Sequence, residues 1–282
     1  MILLTGGTGT VGRLVSRRLS GTAPLRLLTR DPSRVAPGPR LDVVGGDFAD
    51  PAGLERALTG VRTALLVTAD PLAPAHDENF LTAARRAGVR HVVKLSALAV
   101  TDPAADDLIT RWQRGNERLL RASGMSWTLL RPRAFMSNTL SWARSVREEG
   151  VVRALGGSTA GATVDPGDIA EVAAAALLDP DGHAGRTHAL TGPEPISPTA
   201  QTATLARLLG RPVEFVELTV AEARVALRSR YPAPLADALL ASAERGRAGA
   251  KTDVHPTVPA LLGRPARSYR DWAADHLAAF GG

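Results

Sequence analysis

The 282-residue chain has no cysteine, so disulfides and thiolate metal sites are excluded and a reducing compartment is compatible. Lysine is almost as scarce: Lys94 and Lys251 stand against 32 arginines. The arginines are scattered, and no basic stripe interleaved with aromatics forms, so the net charge of +6 does not point to nucleic acid. Abundant Arg and Ala with little Lys is the pattern of a high-GC coding bias. No apolar run approaches the ~18 residues of a membrane span. Strand-like residues follow Met1 at once, leaving no room for a charged leader. A cytoplasmic protein without membrane association is expected. The six histidines show no tight ligand spacing, so no metal site is expected, and a G-x-S-x-G hydrolase elbow is missing. Tyrosine occurs twice, at 231 and 269, with Leu235 and Ala273 four residues further on. No Tyr-x-x-x-Lys pair exists.

With 44% hydrophobic and 22% charged residues, the chain has enough apolar material for a large core. In the first half, short apolar runs alternate with amphipathic stretches, the rhythm of βα units around a parallel sheet. Strands are predicted at 2–5, 25–29, 41–44, 63–67, 91–96 and 127–131, and helices at 11–19, 52–58, 77–87, 107–122 and 136–149. After about Gly150 the rhythm loosens. "DPGDIAEVAAAALL" reads as a helix with an acidic start, where capping accounts for Asp165 and Asp168. "RTHALTGPE" and "PVEFVEL" read as strands, and Ser197 caps a helix with Pro198 at its first position. The fold expected is α/β, a doubly wound, mainly parallel sheet with a smaller C-terminal α+β lobe. A nucleotide-binding core over 1–155 and a substrate lobe over 156–282 packed on it follow. Open α/β sheets bind ligands at the carboxyl ends of their strands, so the lobe is expected to roof that crevice.

"TGGTGTVG" joins the first strand to the first helix, the setting in which a Gly-rich motif carries meaning. Gly6, Thr8, Gly9, Thr10 and Val11 form the expected cradle, with helix N-terminal amides facing a pyrophosphate. A Walker loop is excluded because no Gly-Lys-Ser/Thr follows. The end of the second strand selects the cofactor: an acid there would take the ribose hydroxyls of NAD, whereas arginine suits a 2′-phosphate. Thr29, Arg30 and Arg34 occupy the place and Asp31 lies between, which favours NADPH, with solvated loop charges as the plainer reading. Asp47 is a candidate for the adenine amine or for a turn, and Phe48 for packing on the adenine ring. Val67, Thr68 and Ala69 are small enough to let a ribose pass.

These segments, with "NFLTAARRAGVRHVVKLSAL", "LLRPRAFMSN", "DPGDIAEVAAAAL" and "LTGPEPIS", resemble the NmrA-like atypical short-chain dehydrogenase/reductases over about two-thirds of the chain. That group, with a Rossmann-type core, includes NAD(P)H-dependent quinone and ketone reductases and a redox-sensing regulator. The resemblance implies that Ser96 faces nicotinamide and substrate, and that Asn79 supports a cofactor loop. It also implies that Pro132, Phe135 and Met136 border the nicotinamide. The departure falls in "TRWQRGNERLL": Thr110 and Arg114 stand where the fully equipped reductases carry Tyr and Lys.

Hydride transfer to a carbonyl also needs a proton at oxygen. A serine or threonine hydroxyl is a poor acid, and arginine stays protonated near neutrality. Such a site suits a quinone, whose hydride adduct stabilises itself, or a ketone flanked by a hydroxyl that supplies the proton. Trp112, Phe135, Met136 and Trp142 are candidates to hold such a flat aromatic or polyketide-like molecule; each is equally a candidate for the core. Ser96 is expected to orient the carbonyl, with Thr110 and Arg114 as candidate positioning groups. The expectation is an NADPH-dependent oxidoreductase, with a non-catalytic NADP(H)-sensing regulator as the alternative and a dehydratase or epimerase behind both. The oligomeric state is open.

Overall fold

The computed structural model describes residues 1–247, 249 and 251–282. Its first half alternates β1 (Ile2–Leu4), α1 (Thr10–Leu19), β2 (Leu25–Thr29), β3 (Leu41–Gly45), α2 (Pro51–Leu58), β4 (Thr63–Leu66), α3 (Ala75–Arg86), β5 (His91–Leu95), α4 (Leu108–Ala122) and β6 (Ser126–Pro132). There follow α5 (Ala143–Glu149), β7 (Val151–Ala154), α6 (Pro166–Leu178), β8 (Arg186–Leu190), α7 (Pro198–Leu209), β9 (Glu214–Glu217), α8 (Val220–Arg228), α9 (Ala233–Arg247), α10 (Thr257–Leu262) and α11 (Tyr269–Asp275). No helix among the described residues is long and apolar enough to cross a membrane.

Two compact units divide the chain. The first comprises Met1–Leu98, Trp112–Pro132 and Pro166–Ala189; the second comprises Ala99–Arg111, Arg133–Asp165 and Leu190–Gly282. The single boundary expected near residue 155 is therefore replaced by an interleaved division. The physical reason is the return of α6 and β8 to the first unit: α6 packs against α1, and β8 extends the sheet beside β6.

The first unit holds a seven-stranded sheet in the order β3-β2-β1-β4-β5-β6-β8, with β1 to β6 parallel to their neighbours. This is the Rossmann-type doubly wound order. β1 and β4 are buried along their whole length, as strands covered on both faces must be. Leu54, Leu58, Phe80 and Leu81 from α2 and α3 pack with Leu3, Leu66, Val92 and Leu129 of the sheet. The helix α1 buries Val11, Val15 and Leu19, a stripe at four-residue spacing. Its neighbour α6 is alanine-rich, and Ala170, Val172, Ala173 and Ala174 are all buried.

The second unit has its own core, in which Val146, Val152, Leu205, Tyr269, Trp272 and Phe280 pack together. Its two-stranded sheet pairs β7 with β9 in parallel, Val152 opposite Phe215; β7 is a strand that four residues of sequence did not announce. The single helix expected over 136–149 is instead a 3-10 helix, Met136–Trp142, followed by α5. Short polar side chains explain the change. Thr139 Oγ1 donates to the Met136 carbonyl at 2.8 Å, the local competition that tightens a turn.

Candidate active site

The carboxyl ends of β1 to β4 in the first unit enclose a cavity of about 360 Å³. It lies where the strand order reverses, between β1 and β4, the position at which open α/β sheets take their ligands. Gly6 has φ +62°, and a Cβ on Gly12 would lie 2.3 Å from the Gly6 carbonyl oxygen. Bare backbone is thus required at both turns. Gly9 begins α1 without a side-chain cap, and the first turn carries no acid. The leading amides of Thr10 and Val11 are left for an anion. A dinucleotide pyrophosphate fits this cradle: it is glycine-lined, uncapped and positive at the helix end. Thr5, a residue the motif reading passed over, fixes its far wall. Its hydroxyl accepts from the Val67 N–H at 2.7 Å and donates to the Leu65 carbonyl at 3.1 Å.

Of the residues expected to bind cofactor, Gly6, Thr8, Thr29, Arg30, Arg34, Asp47, Phe48, Val67 and Ala69 line this cavity together. Asp31 turns onto its own loop, its Oδ1 accepting from the Ser33 N–H at 3.1 Å and hydroxyl at 2.6 Å. Arg30 and Arg34 are exposed at the rim. Asp47 closes a turn by accepting from the Ala49 N–H at 2.8 Å. Phe48 stacks on His76 with ring centroids 5.4 Å apart, and Asn79 holds the loop by donating to the Phe48 carbonyl at 2.9 Å. His76 was not foreseen. Its isolated position in the sequence gave no signal, since the stack joins the turn after β3 to the first turn of α3.

The side chain of Thr68, at the strand end expected to pass the ribose, is buried. Its hydroxyl donates to Asp77 Oδ1 at 2.6 Å, while Lys94 Nζ lies 2.5 Å from Asp77 Oδ2. Lys94 and Asp77 are wholly buried, so each charge depends on the other. Among the described residues Asp77 Oδ2 has no partner in hydrogen-bond geometry, yet the 2.5 Å separation from Lys94 makes the contact an ion pair. Trp112 presents its ring 5.9 Å from the ammonium. The trio ties the end of β4, one wall of the cavity, to α3 and β5.

At the end of β5, Ser96 Oγ donates to Glu117 Oε1 at 2.6 Å. Arg131 grips the same carboxylate with two bonds of 2.8 and 2.5 Å. Burial opposes the Glu117 charge, but the Arg131 and Ser96 hydrogen bonds and the charges of Arg131 and Arg121 outweigh it and hold the carboxyl below the usual carboxylate range. An ionised Glu117 accepts only, so the single hydroxyl proton of Ser96 is already given away. In this arrangement Ser96 offers lone pairs, and donation to a substrate carbonyl requires its rotation away from Glu117.

Thr110, in the second unit, caps α4 through its own neighbour. Its N–H and hydroxyl donate to Asp107 at 3.0 and 2.7 Å, and Asp107 also holds Arg245 at 2.6 Å. Arg114 is half-buried on α4. Pro132 is buried at the end of β6, Phe135 bridges to Val164, and Met136 lies in the second unit's apolar core with Trp142 packed against it. Tyr269 is a core residue, its hydroxyl donating to Thr139 at 3.2 Å and its acidity pushed to about 12 by burial. Neither Ser96, Thr110 nor Tyr269 is a ready proton donor.

Fold and cradle define a dinucleotide-binding protein of the Rossmann class. The chain belongs to the NAD(P)H-binding family, whose model matches residues 6–180, and within it to the NmrA-like atypical short-chain dehydrogenase/reductases. It is 55% identical to the (4-alkanoyl-5-oxo-2,5-dihydrofuran-3-yl)methyl phosphate reductase of Streptomyces griseus over 99% of each chain. The crystal structure of an NADPH-dependent quinone oxidoreductase of Escherichia coli with NADPH matches with TM-score 0.84 and 28% identity, covering 99% of this chain and all of the other. NmrA, a negative transcriptional regulator in complex with NADP, shares the fold with TM-score 0.79 at 16% identity, over 98% of this chain and 95% of its own. The chain is an NAD(P)H-dependent oxidoreductase.

Proposed function

We propose that the chain uses NADPH to reduce the ring double bond of a 4-acyl-5-oxo-2,5-dihydrofuran carrying a phosphomethyl arm. The observation that supports this most is the 55% identity, spanning nearly all of both chains, with a reductase of that compound class. The chemistry agrees with a site that has no ready acid. Bound NADPH supplies the hydride. The ring carbon bearing the phosphomethyl arm accepts it, and the double-bond electrons pass to the neighbouring carbon between the lactone and acyl carbonyls. The resulting anion is spread over both oxygens, and water returns a proton to that carbon. Quinones, the acceptor class expected from the sequence, share this self-stabilisation.

Preference for NADPH rests on Arg30 and Arg34, exposed at the ribose end with Asp31 occupied by Ser33. The regulator reading is supported by fold likeness alone. The assay is NADPH absorbance with the acyl-dihydrofuranone phosphate, quinones and aromatic ketones as acceptors. The expected result is oxidation with the furanone phosphate at the highest kcat/KM. NADPH binding with no oxidation by any acceptor overturns the proposal in favour of the regulator. In the same assay, Ser96→Ala is expected to lower kcat on the order of 10-fold or more if Ser96 meets the substrate; full turnover removes it from the mechanism.

A further inference from the structure

The second unit contains a smaller cavity, about 150 Å³, lined by Arg133, Gly161, Thr163, Ile196, Gln201 and Lys251 among others. Arg133, Thr163, Gln201 and Lys251 arrive from four separate segments. Arg133 follows β6, its N–H donating to the Leu190 carbonyl at 2.8 Å. Gln201 sits on the first turns of α7 and is 4% exposed. The backbone of Lys251 is fixed by the Ala162 N–H, which donates to its carbonyl at 2.9 Å. Thr163 Oγ1 is buried without a hydrogen-bond partner among the described residues, a cost that a bound acceptor would remove.

The charge pattern is unusual in one respect. Arg245, beside the cavity, is committed to Asp107 at 2.6 Å and Asp102 at 3.7 Å, and Arg133 feels the carboxylates of Asp102 and Asp253. Lys251 has no carboxylate partner among the described residues. Among the described residues its ammonium donates one hydrogen bond, to Ser242 Oγ at 3.0 Å, which leaves donors to spare. Burial, then the charges of Arg245 and Arg133, push it down to about 8, with only Asp107 opposing them. A compact ammonium among cations, in a cavity also lined by an unmatched hydroxyl and a buried amide residue, is a site that lacks an anion. Lysine is also a rarity in this chain, and binds phosphate as a point charge.

We propose that this cavity binds a small phosphate monoester, with Lys251 as its principal charge and Arg133, Thr163 and Gln201 as further donors.

The test is a phosphorus NMR titration with methyl phosphate on protein saturated with NADPH, in wild type, Lys251→Met, Lys251→Arg and Thr163→Val. Saturable binding is expected in wild type, with affinity falling on the order of 10–100-fold in Lys251→Met. It is expected to recover in part in Lys251→Arg and to fall several-fold in Thr163→Val. No saturable binding in wild type, or an affinity unchanged in both Lys251→Met and Thr163→Val, overturns the site while leaving the reductase reading intact.

Discussion

The first unit and the second treat positive charge in opposite ways. In the first, the pyrophosphate cradle is made of backbone, glycine and helix-end amides, and the one interior lysine, Lys94, is neutralised by Asp77 at 2.5 Å. In the second, Lys251 is left without a carboxylate among the described residues and faces a cavity. The difference separates two jobs for an ammonium in a poorly hydrated place. One holds a wall; the other waits for a ligand. A buried charge that is matched inside the protein contributes architecture, whereas an unmatched one has to be matched from outside or tolerated at a cost.

The largest effect comes from breaking the match in the first unit. Asp77→Asn leaves the Lys94 ammonium buried against a neutral amide, and removing one partner of a buried pair costs about 3–5 kcal/mol. Urea unfolding should show that loss, and the double variant Lys94→Met with Asp77→Leu should recover most of it, because the two sites then pack as apolar groups. A loss below about 1 kcal/mol in Asp77→Asn, the scale of an exposed pair, would mean that water reaches Lys94. The contrast between the two lysines would then collapse.

The same comparison explains what the sequence could tell. Gly6, Gly9 and Gly12 lie within seven residues, and their spacing alone states the geometry of the cradle. The strand ends that follow it, at Thr29, Asp47 and Val67, could be found by counting βα units. Ser96 and Glu117 were legible as positions but not as a bonded pair, because a hydroxyl's partner is decided by side-chain direction. The second cavity was not legible at all. Arg133, Thr163, Gln201 and Lys251 belong to no motif, and their meeting depends on how four segments pack. Lys251 did leave a faint signal, as one of two lysines in an arginine-rich chain. The division into units was hidden for a related reason: pairing of β8 with β6 is a long-range event that local rhythm does not encode.

A smaller effect sharpens the claim that the first unit leaves cationic recognition to its rim. Replacing both Arg30 and Arg34 with alanine removes the arginines that line its cavity among the described residues. A charge-assisted hydrogen bond is worth about 1.5–3 kcal/mol, and exposure reduces that. The ratio of NADPH to NADH affinity should therefore fall by about 10-fold, read by fluorescence titration of each cofactor. A ratio that stays constant in the double variant would assign the 2′-phosphate to backbone donors, and these arginines would be solvated loop charges.

The smallest effect tests whether the first unit's interior is satisfied without any ligand at its other end too. At the start of β5, His91 is bonded to Ser126 at 2.9 Å and Thr128 at 3.0 Å, and His183 to His188 at 2.9 Å. Burial, then the neighbouring His183, push His91 and His188 down to about 4 from 6.5. Between these values the unfolded chain binds protons that the folded one refuses, so stability falls as pH drops from about 6.5 to about 4 and this contribution levels off below that. Carboxylates held low, such as Glu117 and Asp107, act in the same direction at more acid pH. Unfolding midpoints measured across pH 4 to 7 should slope accordingly, and His91→Gln should flatten the slope while leaving the acid end unchanged. An unaltered slope in that variant would mean that His91 takes up its proton in the folded state, the Asp181 carboxylate, which opposes the shift, then outweighing burial and His183.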